Sequence, residues 1–467
     1  MKILFLSAEA DPFIKVGGLG DVAGSLPGAL KTIQPELDIR LCIPRHQALK
    51  LDGFKVEPYK NFELHRNQIT SFVKVEKTNK DEVAVFVIDG EPFSRSQKVY
   101  ESDVALDGEK YFFFSLASIE FAELDDWIPD IVVANDWHTA IAVVDVKSRH
   151  LTNAWKNTKT IFMIHNLGYM GAGTNDVLSR FGVAELPPSN LPWWGNHMPL
   201  PMAAKLADKI VTVSPTYANE IKTAEYGCGL QDFFVSRSYD LIGIINGIDL
   251  NLWNPERDSA IPASFNKDDL AGKLINKKSL QSEFGFEKDP DVPLFAIITR
   301  MDQQKGVDLL VDSIKYLEDE NFQLIILGTG DQKLEQKSVL LEIRYPGKVK
   351  TLIKYDSKLS RNLYAGADLV LMPSRYEPCG IAQMISMRYG TVPLARTTGG
   401  LKDTIRDRET GFLFNELSPE ALAQTMRKAI KLFADKKSWK QLQQNCMEEN
   451  FSWQVSARKY LDLFKSM

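Results

Sequence analysis

Short apolar runs recur along the chain, bounded by turn residues and spaced to leave room for one helix between successive runs. Runs such as Ile210-Val211-Thr212-Val213 are uninterrupted rather than alternating. A strand of that kind is covered on both faces, which points to a parallel sheet flanked by helices. In the first half, strands are expected at 2–7, 38–44, 82–89, 131–135, 160–165, 209–214 and 241–246. Helical patterns fall between them at 108–124, 139–146, 198–206 and 216–223. Residues 52–81 alternate instead and read as a strand-rich excursion. A second series follows, with strands at 294–299, 323–328, 349–355, 369–372 and 391–395, and helices at 306–317, 361–365, 381–389 and 419–433.

Between the two series the register breaks. Asn246-Gly247-Ile248-Asp249 leads through Trp253-Asn254-Pro255 into a polar run ending Asn266-Lys267-Asp268-Asp269, a composition suited to a connection between domains. Two successive α/β domains are the economical reading of 467 residues, given about 150 residues per domain. After Phe451-Ser452-Trp453, apolar Val455, Tyr460, Leu461 and Phe464 recur at roughly helical spacing, so a final docking helix is expected.

Composition narrows the function classes. A net charge of −5 gives no global field for nucleic acid or anionic lipid. Cys42, Cys228, Cys379 and Cys446 form no CxxC pair, so free thiols in a reducing compartment are expected rather than structural zinc. The N-terminal apolar run is too short for a secretory signal and meets Glu9 and Asp11 at once. No run reaches the about 18 apolar residues of a membrane span. A cytoplasmic protein is expected.

Polar residues that suit chemistry stand just after expected strands, where ligands bind in open α/β sheets. Lys15-Val16-Gly17-Gly18-Leu19-Gly20-Asp21-Val22 follows the first strand and precedes a helix expected at 22–33. Its glycines suit a phosphate or a sugar hydroxyl, or simply a tight turn. Arg300 ends one strand and Lys305 opens the next helix, a pair suited to a diphosphate without a metal. In Pro373-Ser374-Arg375-Tyr376-Glu377-Pro378-Cys379-Gly380-Ile381-Ala382, the carboxylate suits sugar hydroxyls, a developing positive charge, or capping of the helix that follows. Gly399-Gly400 precedes another helix start. Asp136-Trp137-His138 and His165-Asn166-Leu167 also follow strands. The proline-rich stretch around Trp193-Trp194-Gly195-Asn196-His197 is expected to be a non-helical, rigid loop pinned by buried indoles, although paired tryptophans also suit stacking on sugars.

These stretches together resemble the bacterial glycogen synthase and plant starch synthase family, retaining glucosyltransferases of the family 5 type. The matching series runs through 15–21, 136–138, 165–167, 212–218, 246–249, 253–255, 305–309, 377–380, 398–401 and 451–453, in family order and over nearly the whole chain. The resemblance implies a GT-B fold. Two Rossmann-like domains would face a deep cleft, with boundaries at 1–248, 249–450 and 451–467, the last helix crossing back to the first domain. It implies transfer of glucose from ADP-glucose to the non-reducing end of an α-1,4-glucan, with no metal and no other cofactor. By similarity, Arg300 and Lys305 hold the diphosphate and Tyr355 lies against the adenine. Glu377 and the amides of Cys379, Gly380, Ile381 and Ala382 hold glucose and phosphate, near Gly399 and Gly400. His165 and Asn246 contact the glucose; Lys15, Gly18 and Asp21 join on closure; Glu9, Asp136, Trp137 and His138 line the acceptor side.

Three departures from the family pattern stand in the N-terminal half. Asn135 replaces a usual His, Met170 a usual Gln, and residues 193–198 a segment that commonly carries Lys-Gly. They bear on acceptor binding and leave open a glucan-binding or regulatory homologue, or the same transfer from UDP-glucose. Two other classes fit poorly. Gly18-Leu19-Gly20-Asp21-Val22-Ala23 matches a dinucleotide fingerprint, but it stands too far from the first strand. Asp289-Pro290-Asp291 matches a metal-binding DxD but reads as a turn.

Overall fold

The computed structural model describes residues 1–67, 69–152 and 154–467. It divides into two compact units, Met1–Gly247 with Trp453–Met467, and Ile248–Ser452.

The first unit is built on a nine-stranded sheet of order β3-β4-β5-β2-β1-β6-β7-β8-β9. Its strands are β1 (Lys2–Leu6), β2 (Asp38–Pro44), β3 (Glu57–Arg66), β4 (Ile69–Lys80), β5 (Val83–Asp89), β6 (Ile131–Asn135), β7 (Lys159–Ile164), β8 (Lys209–Thr212) and β9 (Leu241–Gly243). β2-β1-β6-β7-β8-β9 pair in parallel, and β5 joins β2 in the same sense. β6 is buried along its whole length, as expected for a strand covered on both faces. The alternating excursion is the antiparallel β3–β4 hairpin, which pairs onward with β5.

The second unit holds a six-stranded parallel sheet of order β12-β11-β10-β13-β14-β15. Its strands are β10 (Leu294–Ile298), β11 (Gln323–Gly328), β12 (Val349–Ile353), β13 (Leu369–Met372), β14 (Val392–Arg396) and β15 (Phe412–Phe414).

Three helices of this unit escape the apolar periodicity: Ala271–Glu283, Gln332–Arg344 and Lys436–Glu448. The first shows why. Its buried face carries Lys273, Asn276, Lys277 and Gln281 beside Leu280. Lys273 Nζ donates to Ala365 O at 3.1 Å, Tyr389 O at 3.1 Å and Thr391 Oγ1 at 2.5 Å. Lys277 Nζ meets Asp368 Oδ2 at 2.7 Å. A buried face made largely of polar groups leaves no hydrophobic period to read. The helix after β1 differs in a simpler way: it runs Gly18–Ile33, so the glycine-rich stretch forms its first turn.

The terminal helix Trp453–Lys465 packs on helix Gly18–Ile33. Trp453, Ala457, Tyr460, Leu461, Leu463 and Phe464 complete a core shared with β1, β2, β5 and β6. Phe464 is 3% exposed. Phe464→Ala should therefore cost about 3–5 kcal/mol, read as a lower urea midpoint; an unchanged midpoint would show that this helix adds nothing to the first unit's stability.

Candidate active site

In the first unit, the polar residues gather where β1, β6 and β7 end. Glu9, 1% exposed, accepts from the Val16 N–H at 2.5 Å and the Gly17 N–H at 2.9 Å through Oε2. Its Oε1 accepts from the Tyr100 hydroxyl at 2.6 Å. Both oxygens are thus engaged by the chain itself, and Glu9 anchors the loop ahead of helix Gly18–Ile33. Burial raises its pKa against these hydrogen bonds. Lys15 Nζ reaches Asp21 Oδ1 at 2.5 Å, and no side chain caps the helix start at Gly17. An uncapped first turn keeps amide donors and the positive end of the helix dipole for an anionic or hydroxylic partner.

β6 and β7 deliver the next group. Asp136 follows β6 at φ +55°, a backbone conformation uncommon outside glycine and found where surrounding structure enforces it. Its Oδ1 accepts the His165 N–H at 2.7 Å, and burial pushes its pKa up to about 7. Asn135 donates through Nδ2 to Leu6 O at 2.8 Å, and its Oδ1 lies 2.8 Å from His165 Nε2. The first bond orients the amide, so its oxygen accepts the Nε2–H and leaves the lone pair of a neutral imidazole on Nδ1. Desolvation lowers the His165 pKa to about 3, which keeps the ring neutral. The departure at residue 135 is thus the group that orients His165.

His138 sits among Tyr100, Tyr111 and Trp137, with ring centroids 4.8, 4.6 and 4.5 Å away. Burial holds its pKa well below the usual range. Its Nδ1 is buried without a hydrogen-bond partner among the described residues. Asn246, 5% exposed, has an Oδ1 in the same condition. Trp137 is buried and walls the group rather than facing solvent. The Trp193-Trp194 pair divides: Trp193 is 79% exposed, contrary to the expectation of two buried indoles, while Trp194 lies against Gly229. Residues 193–197 form a short 3₁₀ turn, and helix Pro199–Leu206 begins on Pro199 itself. Prolines fit there because the first turn leaves its N–H groups unpaired.

In the second unit, adjacent strands β10 and β13 bring the expected donor residues together. Lys305 Nζ meets Glu377 Oε2 at 2.5 Å, and Ser374 Oγ donates to the same oxygen at 3.1 Å. Glu377 is therefore not a helix cap. Arg300, with 61% of its side chain exposed, pairs loosely with Asp302 at 3.2 Å. Arg375 clamps Asp308 with two bonds, of 2.8 and 2.7 Å, and its own N–H donates to Gln304 O at 2.8 Å. These bonds fix the two loops on each other. Close backbone packing does the rest. Gly306 (φ +67°) would set a Cβ 2.0 Å from Pro373 O, and Gly399 (φ +42°) one 1.9 Å from Glu377 O, so both positions require glycine. Gly400 N–H donates to Glu377 O at 3.1 Å, and Gln383 Nε2 donates to Cys379 O and Gly380 O at 3.0 Å. Cys379 is buried and forms no disulfide, ahead of Ile381 and helix Ala382–Arg388. Tyr355 is 87% exposed beyond β12.

The sequence did not single out Tyr100, Ser374, Asp308 or Arg396, which donates to Ser374 O at 2.9 Å. Each acts through another residue; Ser374 and Asp308 stand inside quoted stretches with no role assigned, and Tyr100 and Arg396 stand in none. Asp289-Pro290-Asp291 is a turn, with Asp291 N–H donating to Asp289 Oδ1 at 2.7 Å. No cluster of three His, Cys, Asp or Glu suited to a metal occurs among the described residues. No helix among them is long and apolar enough to cross a membrane.

Comparison with known proteins places these two sites in context. Residues 2–236 match the starch synthase catalytic domain, and residues 280–446 match glycosyl transferases group 1. The chain is 39% identical over 480 residues to the glycogen synthase of Streptococcus sanguinis strain SK36, with 100% of each chain covered. It is 38% identical to that of Streptococcus pneumoniae strain ATCC 700669, again over 100% of both. Among solved structures it is similar to the catalytic domain of starch synthase IV from Arabidopsis thaliana bound to ADP and acarbose. That match has a TM-score of 0.91 and 30% identity, over 99% of this chain and 98% of the other.

The raised pKa of Asp136 has a consequence for stability. A carboxyl that titrates near 3.8 when unfolded and near 7 when folded binds its proton more tightly in the folded state. Its contribution is most favourable below about pH 4 and declines as the pH rises to about 7. Asp136→Asn keeps an oxygen for the His165 N–H and removes the titration. The stability difference between pH 5 and pH 8, measured by urea unfolding, should shrink in that variant; an undiminished difference would place its source elsewhere.

Proposed function

The chain belongs to the glycogen and starch synthase family of glucosyltransferases, and we propose that it transfers glucose from ADP-glucose to the non-reducing end of an α-1,4-glucan with retention of configuration. The observation that carries the donor assignment is the Lys305–Glu377 pair, 2.5 Å apart at the carboxyl ends of adjacent strands. A nucleotide sugar needs a cation for its diphosphate and a hydrogen-bond acceptor for its sugar within one short span, and this pair supplies both. The similar Arabidopsis enzyme, solved with ADP and acarbose, supports an adenine nucleotide and a glucan.

The chemistry follows from where charge develops. As the bond from glucose to the diphosphate breaks, negative charge grows on the leaving group. Arg300 and Lys305 stabilise it, helped by the amides around Cys379, Gly380, Ile381 and Ala382. Glu377 accepts from the sugar hydroxyls and faces the positive charge that grows on the sugar ring. With two cations to offset the charge of the leaving group, the transfer requires no metal. Retention is assigned to attack from the same face as departure, without a covalent sugar intermediate.

In the first unit, His165 and Asn246 offer neutral hydrogen-bonding groups to the glucose, with Lys15, Gly18 and Asp21 on the donor side. Asp136 and His138, walled by Trp137, serve the acceptor. Glu9 acts through the loop it holds. A neutral His165 suits this role, since it can hydrogen-bond a hydroxyl without adding a charge.

Initial rates with a malto-oligosaccharide and ADP-glucose or UDP-glucose test the reading. ADP-glucose should be the preferred donor, with rates unchanged in chelator; preference for UDP-glucose, or loss of activity on chelation, would overturn the corresponding part. Glucan binding without chain extension would favour a regulatory protein.

Glu377→Ala should keep its far-UV circular dichroism and lose about 100- to 1,000-fold in kcat, the scale set by removing one preorganised electrostatic group. Lys305→Ala should lose a comparable amount. Near-normal turnover in either variant would remove that residue from the site.

A further inference from the structure

We infer that Trp193 is a stacking platform for the glucan acceptor, placed beyond the residues that hold the reacting end of the chain. This inference rests on the proposed use of an α-glucan.

An indole with 79% of its surface exposed on a soft loop would mean little, since single exposed apolar side chains are common. The support under this one is rigid. Pro192 precedes a 3₁₀ turn closed by the Gly195 N–H on Pro192 O at 2.8 Å. The Leu186 N–H donates to Asn196 O at 2.8 Å. Asn190 ties the loop to the body, donating to Ser236 Oγ at 2.6 Å and accepting from Lys205 Nζ at 2.8 Å. Trp194 turns the other way, against Gly229. One indole anchors the turn and the next is held out in solvent. An ordered scaffold matters because the ring need not be immobilised when a ligand binds.

The place of this turn also argues for a sugar. It runs directly into helix Pro199–Leu206, and the Leu200 N–H donates to Met170 O at 3.2 Å. A Cβ on Gly171 would lie 2.8 Å from the Trp137 ring and 2.9 Å from Pro199. The segment carrying Trp193 is thus packed on the same layer as Trp137, beside Asp136 and His138. A hydrogen-bonding side chain lies beside the exposed ring. The His197 ring lies 5.8 Å from it, and Ser189 Oγ donates to Asn196 Oδ1 at 3.3 Å. An aromatic face beside an imidazole, on a turn built with polar side chains, suits the apolar face and rim hydroxyls of a glucose unit. It suits a purely apolar protein contact less well. A platform of this kind engages a long acceptor and leaves a short one untouched.

The test uses the full chain and its Trp193→Ala and Trp193→Phe variants, with maltotriose, maltoheptaose and glycogen as probes. Trp193→Ala should raise KM for maltoheptaose and glycogen about tenfold, the effect of losing one aromatic contact. KM for ADP-glucose and for maltotriose should stay within about twofold of the parent, and Trp193→Phe should recover most of the loss. Electrophoresis through a glycogen-containing gel reads binding without turnover. Retardation of the parent, relieved in Trp193→Ala, supports the platform even if the chain extends no glucan. Equal retardation and equal KM values in parent and Trp193→Ala would overturn it. So would a change of oligomeric mass in Trp193→Ala with glucan binding intact, which would assign the ring to a protein contact. A parent that glycogen does not retard would overturn the glucan reading and this inference together.

Discussion

Covering a parallel sheet on both faces leaves nowhere inside it for polar chemistry. Every residue of β6, β11 and β13 is buried, and the hydrogen-bonding side chains these strands carry stand at their ends, Asn135 last in β6 and Gln323 first in β11. Parallel strands all end on one side, and that single constraint gathers residues that lie far apart in sequence. Asn135 and His165 lie 30 positions apart and meet because β6 and β7 are neighbours. Lys305 and Glu377 lie 72 positions apart and meet because β10 and β13 are neighbours. In each unit, the functional cluster is a consequence of strand order.

The two clusters differ in electrostatic character. In the first unit, burial keeps His138 and His165 neutral and drives Asp136 toward its protonated form. Around those three residues the site presents oriented dipoles rather than charge and fits a neutral polyhydroxylic ligand. The second unit keeps formal charges in reach of water, with an exposed Arg300 and a part-buried Lys305. Long cationic side chains near solvent are suited to an anion arriving with its own hydration. The division matches a reaction between a neutral glucan and an anionic nucleotide sugar.

Much of this was legible in the sequence, for a reason visible in particular residues. Uninterrupted apolar runs marked the strands because parallel strands have no wet face. Motif residues at strand ends marked the clusters because chemistry has no other place to go. The signal failed where burial was polar. Helix Ala271–Glu283 buries Lys273 and Lys277 against the rest of the second unit, so no apolar period marks it in the sequence. It failed again where neighbours in sequence separate in space. Trp193 and Trp194 look equivalent as letters, but one ring lies half-buried against Gly229 and the other stands in solvent.

Departures from a family pattern deserve the same physical treatment. Asn135 stands where a histidine is usual, and sequence alone reads it as a weakening of the acceptor side. Its amide instead carries two bonds that one imidazole ring could make only by donating from one nitrogen and accepting with the other. The Nδ2 donor goes to the Leu6 carbonyl at the end of β1, and the Oδ1 acceptor goes to His165 at the end of β7. An amide has donor and acceptor on a single short carbon, so both partners can be close neighbours, and neither role changes with pH across the range where imidazole titrates. At this position, the substitution trades a titratable link between three strand ends for a permanent one, and it holds the His165 tautomer fixed.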